Sequence, residues 1–110
     1  MNFEVTKHGK ATVFKLKEPR LDGTIAPELK GEFLLITGKK AKELIIDLSD
    51  VMSCDSTGLS ALLIAERKMR DHSGVVKVLG PSKAVLSLLR ISRLDRVLGI
   101  YATLDEALKG

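Results

Sequence analysis

At 110 residues the chain has the size of one domain, and its 45% hydrophobic and 29% charged residues are a globular composition that excludes intrinsic disorder. A formal charge of +4 spread along the chain, with one Tyr, three Phe and no Trp, excludes a dense basic block and the aromatic platforms on which single-stranded nucleic acid stacks. Cys54 is the single cysteine, so neither a disulfide framework nor a cysteine-based metal site can be built. The closest basic groupings are Lys39-Lys40 with Lys42 and Arg67-Lys68 with Arg70, and Glu43, Glu66 and Asp71 sit beside them as on a solvated surface. Met1 to Thr6 lacks the basic start and apolar run of a signal peptide, and no segment reaches the length of a membrane span. The expectation is a cytoplasmic domain over residues 1–110 with no nucleic-acid partner and no direct membrane insertion.

Taken in chain order, Phe3 and Val5 alternate with polar residues, His8-Gly9-Lys10 reads as a turn, and Thr12 to Leu16 is a second strand, so the chain opens with a hairpin. Glu18 to Gly23 reads as a loop, and Thr24 as the N-cap of a helix whose apolar stripe is Ile25, Leu29, Phe33 and Ile36, stopped by Gly38. Leu44 to Leu48 is a short apolar run suited to a strand covered on both faces. Val51 to Gly58 reads as a polar turn before a helix carrying Leu59, Leu62 and Leu63, which Ser73-Gly74 ends. Val75 to Leu79 is another buried-type strand, followed by a helix from Ser82 with Val85, Leu88 and Leu89 inward. Val97 to Tyr101 reads as a last short strand, and Thr103 caps a short helix with Leu104, Ala107 and Leu108 inward. The order β-β-α-β-α-β-α-β-α predicts an α/β fold, a mixed and mostly parallel sheet opened by a hairpin, with helices packed on it.

Most candidate chemistry fails on spacing. Gly31 to Lys39 is a poor phosphate-binding loop, because the glycine spacing is wrong, Lys40 stands where Ser or Thr is needed, and the stretch is an amphipathic helix. His8 and His72 have no second ligand spaced near either, so no metal is expected. Nothing around Ser56 has the form of a nucleophile elbow, and Cys54 reads as a small buried filler. No catalytic residue is assigned, and the chain is not expected to be an enzyme.

The informative stretch is Asp55-Ser56-Thr57-Gly58-Leu59, between a buried strand and a helix. Two readings of it stand. Asp55 or Ser56 is a plain N-cap for otherwise unpaired backbone N–H groups. Alternatively, a hydroxyl is presented at the helix N-terminus, where a phosphate would meet the positive end of the helix dipole and change a binding surface strongly. Gly58 inside the first turn costs the helix about 1 kcal/mol against Ala. That cost makes sense where another group must come close.

Four segments resemble one family. Arg20-Leu21-Asp22-Gly23-Thr24-Ile25-Ala26-Pro27-Glu28-Leu29 is similar to the entry into the first helix of STAS domains, in particular bacterial anti-sigma factor antagonists. Ile45 to Val51 resembles their central strand, Asp55-Ser56-Thr57-Gly58-Leu59 their Asp-Ser-(Ser/Thr/Ala)-Gly-Leu signature, and Leu94-Asp95-Arg96-Val97 with Ile100-Tyr101 their closing segment. The resemblance implies a phosphorylation-controlled partner switch. The unphosphorylated form binds an anti-sigma factor that is also a serine kinase, phosphorylation of Ser56 releases it, and a phosphatase resets the cycle. It further implies that Asp22, Asp55, Ser56, Thr57 and Gly58 meet the partner, and that ATP and magnesium belong to the kinase, with no cofactor in this chain. Ser60 and Cys54 depart from the usual family residues, and Thr57 is an alternative phosphoacceptor. Because STAS domains also serve stressosome scaffolds and a bacterial lipid-transport complex, a non-phosphorylated subunit of either kind is the alternative reading.

Overall fold

The computed structural model describes residues 1–39 and 41–110; Lys40 lies outside the described residues. Strands β1 (Phe3–His8) and β2 (Ala11–Leu16) form the opening antiparallel hairpin, with His8 opposite Ala11. Gly9 takes a φ of 62° as the first central residue of the two-residue turn, a conformation that costs glycine little. Strand β4 (Glu43–Asp47) adds parallel to β2, β6 (Val75–Leu79) parallel to β4, and β7 (Gly99–Tyr101) parallel to β6. The sheet order is therefore β1-β2-β4-β6-β7, mixed only at its β1 edge.

Alternation along the strands divides the apolar residues between two faces. Phe14, Leu16, Leu44, Ile46, Val76 and Val78 belong to the larger core, under helices α1 (Ala26–Gly38), α2 (Ser56–Arg70) and α3 (Lys83–Ile91). Phe14 stacks on Phe3 at 5.0 Å and meets Phe33 of α1 edge-on at 5.2 Å. Ala11, Val13, Ile45 and Leu79 face the other way, under α4 (Leu104–Lys109) and its Ala107. This second face also carries a buried lysine. Lys77 forms an ion pair with Glu43, donates to the carbonyls of Ala107 at 2.6 Å and Gly110 at 2.8 Å, and lies 5.5 Å from the centre of the Tyr101 ring. Its charge is thereby compensated, as burial of a cation requires, and the end of α4 is tied to the sheet.

Several local expectations need correcting. Arg20–Leu21 is not loop but a two-residue strand, β3, and Ser53–Cys54 within the expected turn is a second, β5. They pair parallel as a separate ribbon, with Arg20 opposite Ser53 and Leu21 opposite Cys54. Thr24 does not cap α1: the N-cap residue is Ile25, whose hydrocarbon side chain can make no cap bond, while the Thr24 hydroxyl one residue earlier donates to Asp22 Oδ1. Ser82 and Thr103 do cap α3 and α4 through their side chains, and Leu108 is 36% exposed rather than inward. A 3-10 turn at Leu94–Arg96 follows Arg93, whose φ is 62°.

Candidate functional site

The ribbon assembles the site. Since Leu21 and Cys54 are register partners on parallel strands, the residues directly after them, Asp22 and Asp55, emerge side by side from its end. The Asp55 N–H donates to the Leu21 carbonyl at 3.2 Å, locking the two segments at that point. Asp55 is the cap of α2: its Oδ1 accepts from the Gly58 N–H at 3.0 Å. Of the two residues considered for the cap, Asp55 fills it, which leaves Ser56 as the first helical residue with its side chain exposed. Thr57 is exposed beside it. The nearby Ser60 hydroxyl is occupied, donating to the Ser56 carbonyl at 3.0 Å.

Asp22 is oriented by its own loop. Its Oδ1 accepts from the Thr24 hydroxyl at 2.6 Å and the Thr24 N–H at 3.0 Å, and its carbonyl accepts from Ala26 N–H at 2.9 Å. The hydrogen bonds from Thr24 hold the carboxyl below the usual carboxylate range, with the Arg20 charge acting the same way. A folded-state value lower than the unfolded one means the loop's ionised arrangement is complete above the ordinary carboxylate pKa. It is lost only as pH falls through the lowered one. A side chain on Gly23 would touch the Thr57 methyl at 4.0 Å, so the Asp22 loop lies against the start of α2.

Gly58 has a steric reason that the sequence could only suggest. A Cβ there would lie 2.6 Å from Leu21 Cγ and 2.9 Å from Cys54 Sγ, and nearer still to the Leu21 carbonyl oxygen. Gly58 is buried, not a partner-facing surface as the sequence reading had it; it sets how closely the ribbon approaches the helix. Cys54 is only half-buried, and its thiol donates to the Asp55 carbonyl at 3.4 Å. Burial first, and the Asp55 charge second, push this thiol up to about 11. Alkylation by iodoacetamide at pH 7 should therefore run about a hundredfold slower than for a free thiol and accelerate only towards pH 11. Fast labelling at neutral pH, followed by mass spectrometry, would contradict this environment.

Asp55, Ser56 and Thr57 lie exposed on the surface. A cleft of about 130 Å³ near Lys7 and Ile36, and one of about 320 Å³ between Pro81, Leu86 and Tyr101, share no residue with the site. Met52, 72% exposed just before the ribbon, adds apolar surface that the sequence reading left inside a polar turn. No group of metal-ligating side chains occurs among the described residues, and His72 instead donates to the Ala41 carbonyl at 2.7 Å. No helix among the described residues is long and apolar enough to cross a membrane.

A mixed five-stranded sheet with a short ribbon that presents Asp22 and Asp55 beside a helix N-terminus defines a STAS-type domain. The STAS domain family matches residues 2–107, and the chain belongs to it. A Thermotoga neapolitana protein provisionally named an anti-sigma factor antagonist is 33% identical over 78 residues, which are 71% of this chain and 66% of that protein. The chain thus spans just under two thirds of that relative's length. Among solved structures, an anti-sigma factor antagonist from Mycobacterium paratuberculosis is 27% identical with a TM-score of 0.88, covering 98% of this chain and 91% of its own. The unphosphorylated form of the anti-sigma factor antagonist SpoIIAA shares the fold at 21% identity and a TM-score of 0.83, covering 98% of this chain and 94% of its own.

Proposed function

We propose that this chain is an anti-sigma factor antagonist acting as a phosphorylation-controlled partner switch, with Ser56 as the phosphoacceptor. The observation that carries the reading is an exposed Ser56 at the first residue of α2, directly after the Asp55 cap and with the Asp22 loop against the start of the same helix. The fold is that of SpoIIAA, which has been solved in both unphosphorylated and phosphorylated forms, and this supports the same logic here. Unphosphorylated, the Asp22, Asp55, Ser56 and Thr57 surface docks an anti-sigma factor with serine kinase activity, while Gly58 beneath it holds the ribbon in place. The kinase brings ATP and magnesium and transfers the γ-phosphoryl group to Ser56 Oγ, with ADP leaving; this chain contributes position, not catalysis.

Phosphate at residue 56 is tolerated by the fold because it sits at the positive end of a 15-residue helix. Towards a docked partner the same group is adverse. A charge of roughly −1.5 to −2 must be desolvated between two carboxylates, so the complex opens. A phosphatase then restores the hydroxyl. Transcriptional control in the cytoplasm follows from this cycle.

Incubation with the cognate kinase and ATP, followed by phosphopeptide mapping, tests the assignment. One phosphate on Ser56, lost in the Ser56→Ala protein, is the expected result. Modification of Thr57 instead would move the acceptor by one residue. A complex that forms without any modification would favour a scaffold or lipid-transport subunit.

A further inference from the structure

A helix that packs against a core on one side is ordinarily polar on the other, yet α1 is apolar on both. Leu29 and Phe33 are buried, while Leu34 is 48% and Leu35 62% exposed. At 3.6 residues per turn, Gly31 and Gly38 fall along the middle of the outer face, with Leu34 and Leu35 rising on either side of that line. Gly31 lies inside the helix, where glycine is weaker than alanine. A Cβ on Gly31 or Gly38 would nevertheless meet nothing within 4 Å. Packing within one copy therefore does not ask for either glycine, although Gly38 is also where the helix ends. A surface arriving from outside would.

We propose that this face of α1 is the interface of a homodimer, two copies of α1 crossing antiparallel about a two-fold axis between Leu34 and Leu35. The pattern is symmetric about that point. Gly31 of one copy comes level with Gly38 of the other, while Leu34 and Leu35 each meet their own symmetry mates, as an isologous contact requires. Charge selects the same arrangement. Glu28, 55% exposed near the start of α1, pairs with the Met1 ammonium at 3.4 Å yet keeps a face to solvent, and Lys39 is exposed at the end of the helix. Antiparallel crossing sets each Glu28 beside the Lys39 of the other copy, whereas a parallel pair would oppose like charges. One helix of 13 residues offers less than the roughly 1,200 Å² of a standard interface, so association is expected in the micromolar range or weaker.

Sedimentation equilibrium of the purified chain across concentrations tests this. The wild type should pass from monomer to dimer, and Leu34→Glu and Leu34→Lys proteins should each dissociate at least tenfold more readily. Mixed in equal amounts, the two variants should associate again, because position 34 meets itself. Gly31→Ala should raise the melting temperature of dilute protein while weakening the dimer, a pair of opposite effects that a purely structural role would not produce. A chain that stays monomeric to about 1 mM overturns the proposal. So does a dimer indifferent to Leu34→Glu, a mixture that fails to associate, or a monomer that uses this face to bind anionic lipid vesicles.

Discussion

Ser56→Glu is expected to lower the affinity of this chain for its anti-sigma partner by about a hundredfold or more, while Ser56→Ala leaves it within about threefold. The asymmetry follows from what each change does at the mouth of α2. Alanine removes a hydroxyl that is exposed and is not the helix cap, a role Asp55 fills through its bond from the Gly58 N–H. Glutamate places a third negative charge beside Asp22 and Asp55, and an uncompensated like-charge contact in an interface costs several kcal/mol. At 1.4 kcal/mol per factor of ten, two such factors lie within that range. Folding should be nearly indifferent, because an acid in the first turn of a helix is favoured by the dipole. Calorimetric titration against the partner, with thermal melts of both variants, checks the two halves together. Equal binding by both variants would remove the charge-repulsion mechanism while leaving the fold untouched.

Gly58→Ala is expected to destabilise the chain by about 2 kcal/mol, although helix propensity alone favours alanine by about 1 kcal/mol. The two effects have opposite signs, and the geometry decides between them. The added carbon would fall inside contact distance of Leu21 Cγ, Cys54 Sγ and the Leu21 carbonyl. A side-chain rotamer could relieve the first two contacts. The carbonyl belongs to the backbone that pairs β3 with β5 and accepts the Asp55 N–H, so the ribbon itself must retreat. A drop in melting temperature of the order of 10 °C is expected for a domain of this size. The displaced ribbon would also separate Asp22 from Asp55, so partner binding should fall with stability. A melting temperature raised by Gly58→Ala would show that the close approach is not needed.

The main sheet was legible in the sequence because its signals are local. Leu44 to Leu48 and Val75 to Leu79 are short branched runs bounded by polar residues; the second is β6 and the first overlaps β4 but runs one residue past its end at Asp47. Thr103 carries its cap three residues from the N–H group it accepts, and α3 starts next to Ser82 as its turn residues indicate. Asp22 and Asp55 to Gly58 were found through motif resemblance, and the structure brings these residues together at one ribbon end. The Thr24 cap was misplaced because the helix begins one residue later than expected, with Ile25 at the cap position, and the Thr24 hydroxyl donates to Asp22 two residues back.

Residue types and spacing were enough to specify an α/β domain with a polar, glycine-containing turn at the start of its second helix. Folding settled what spacing could not express. Two dipeptides too short to show any periodicity, Arg20–Leu21 and Ser53–Cys54, become strands only by pairing with each other across 33 positions of sequence register. That pairing sets Asp22 against Asp55, buries Gly58 beneath Leu21 and leaves the Ser56 side chain outside. Pairing energy between distant segments depends on where the rest of the chain holds them, and no local pattern contains that information.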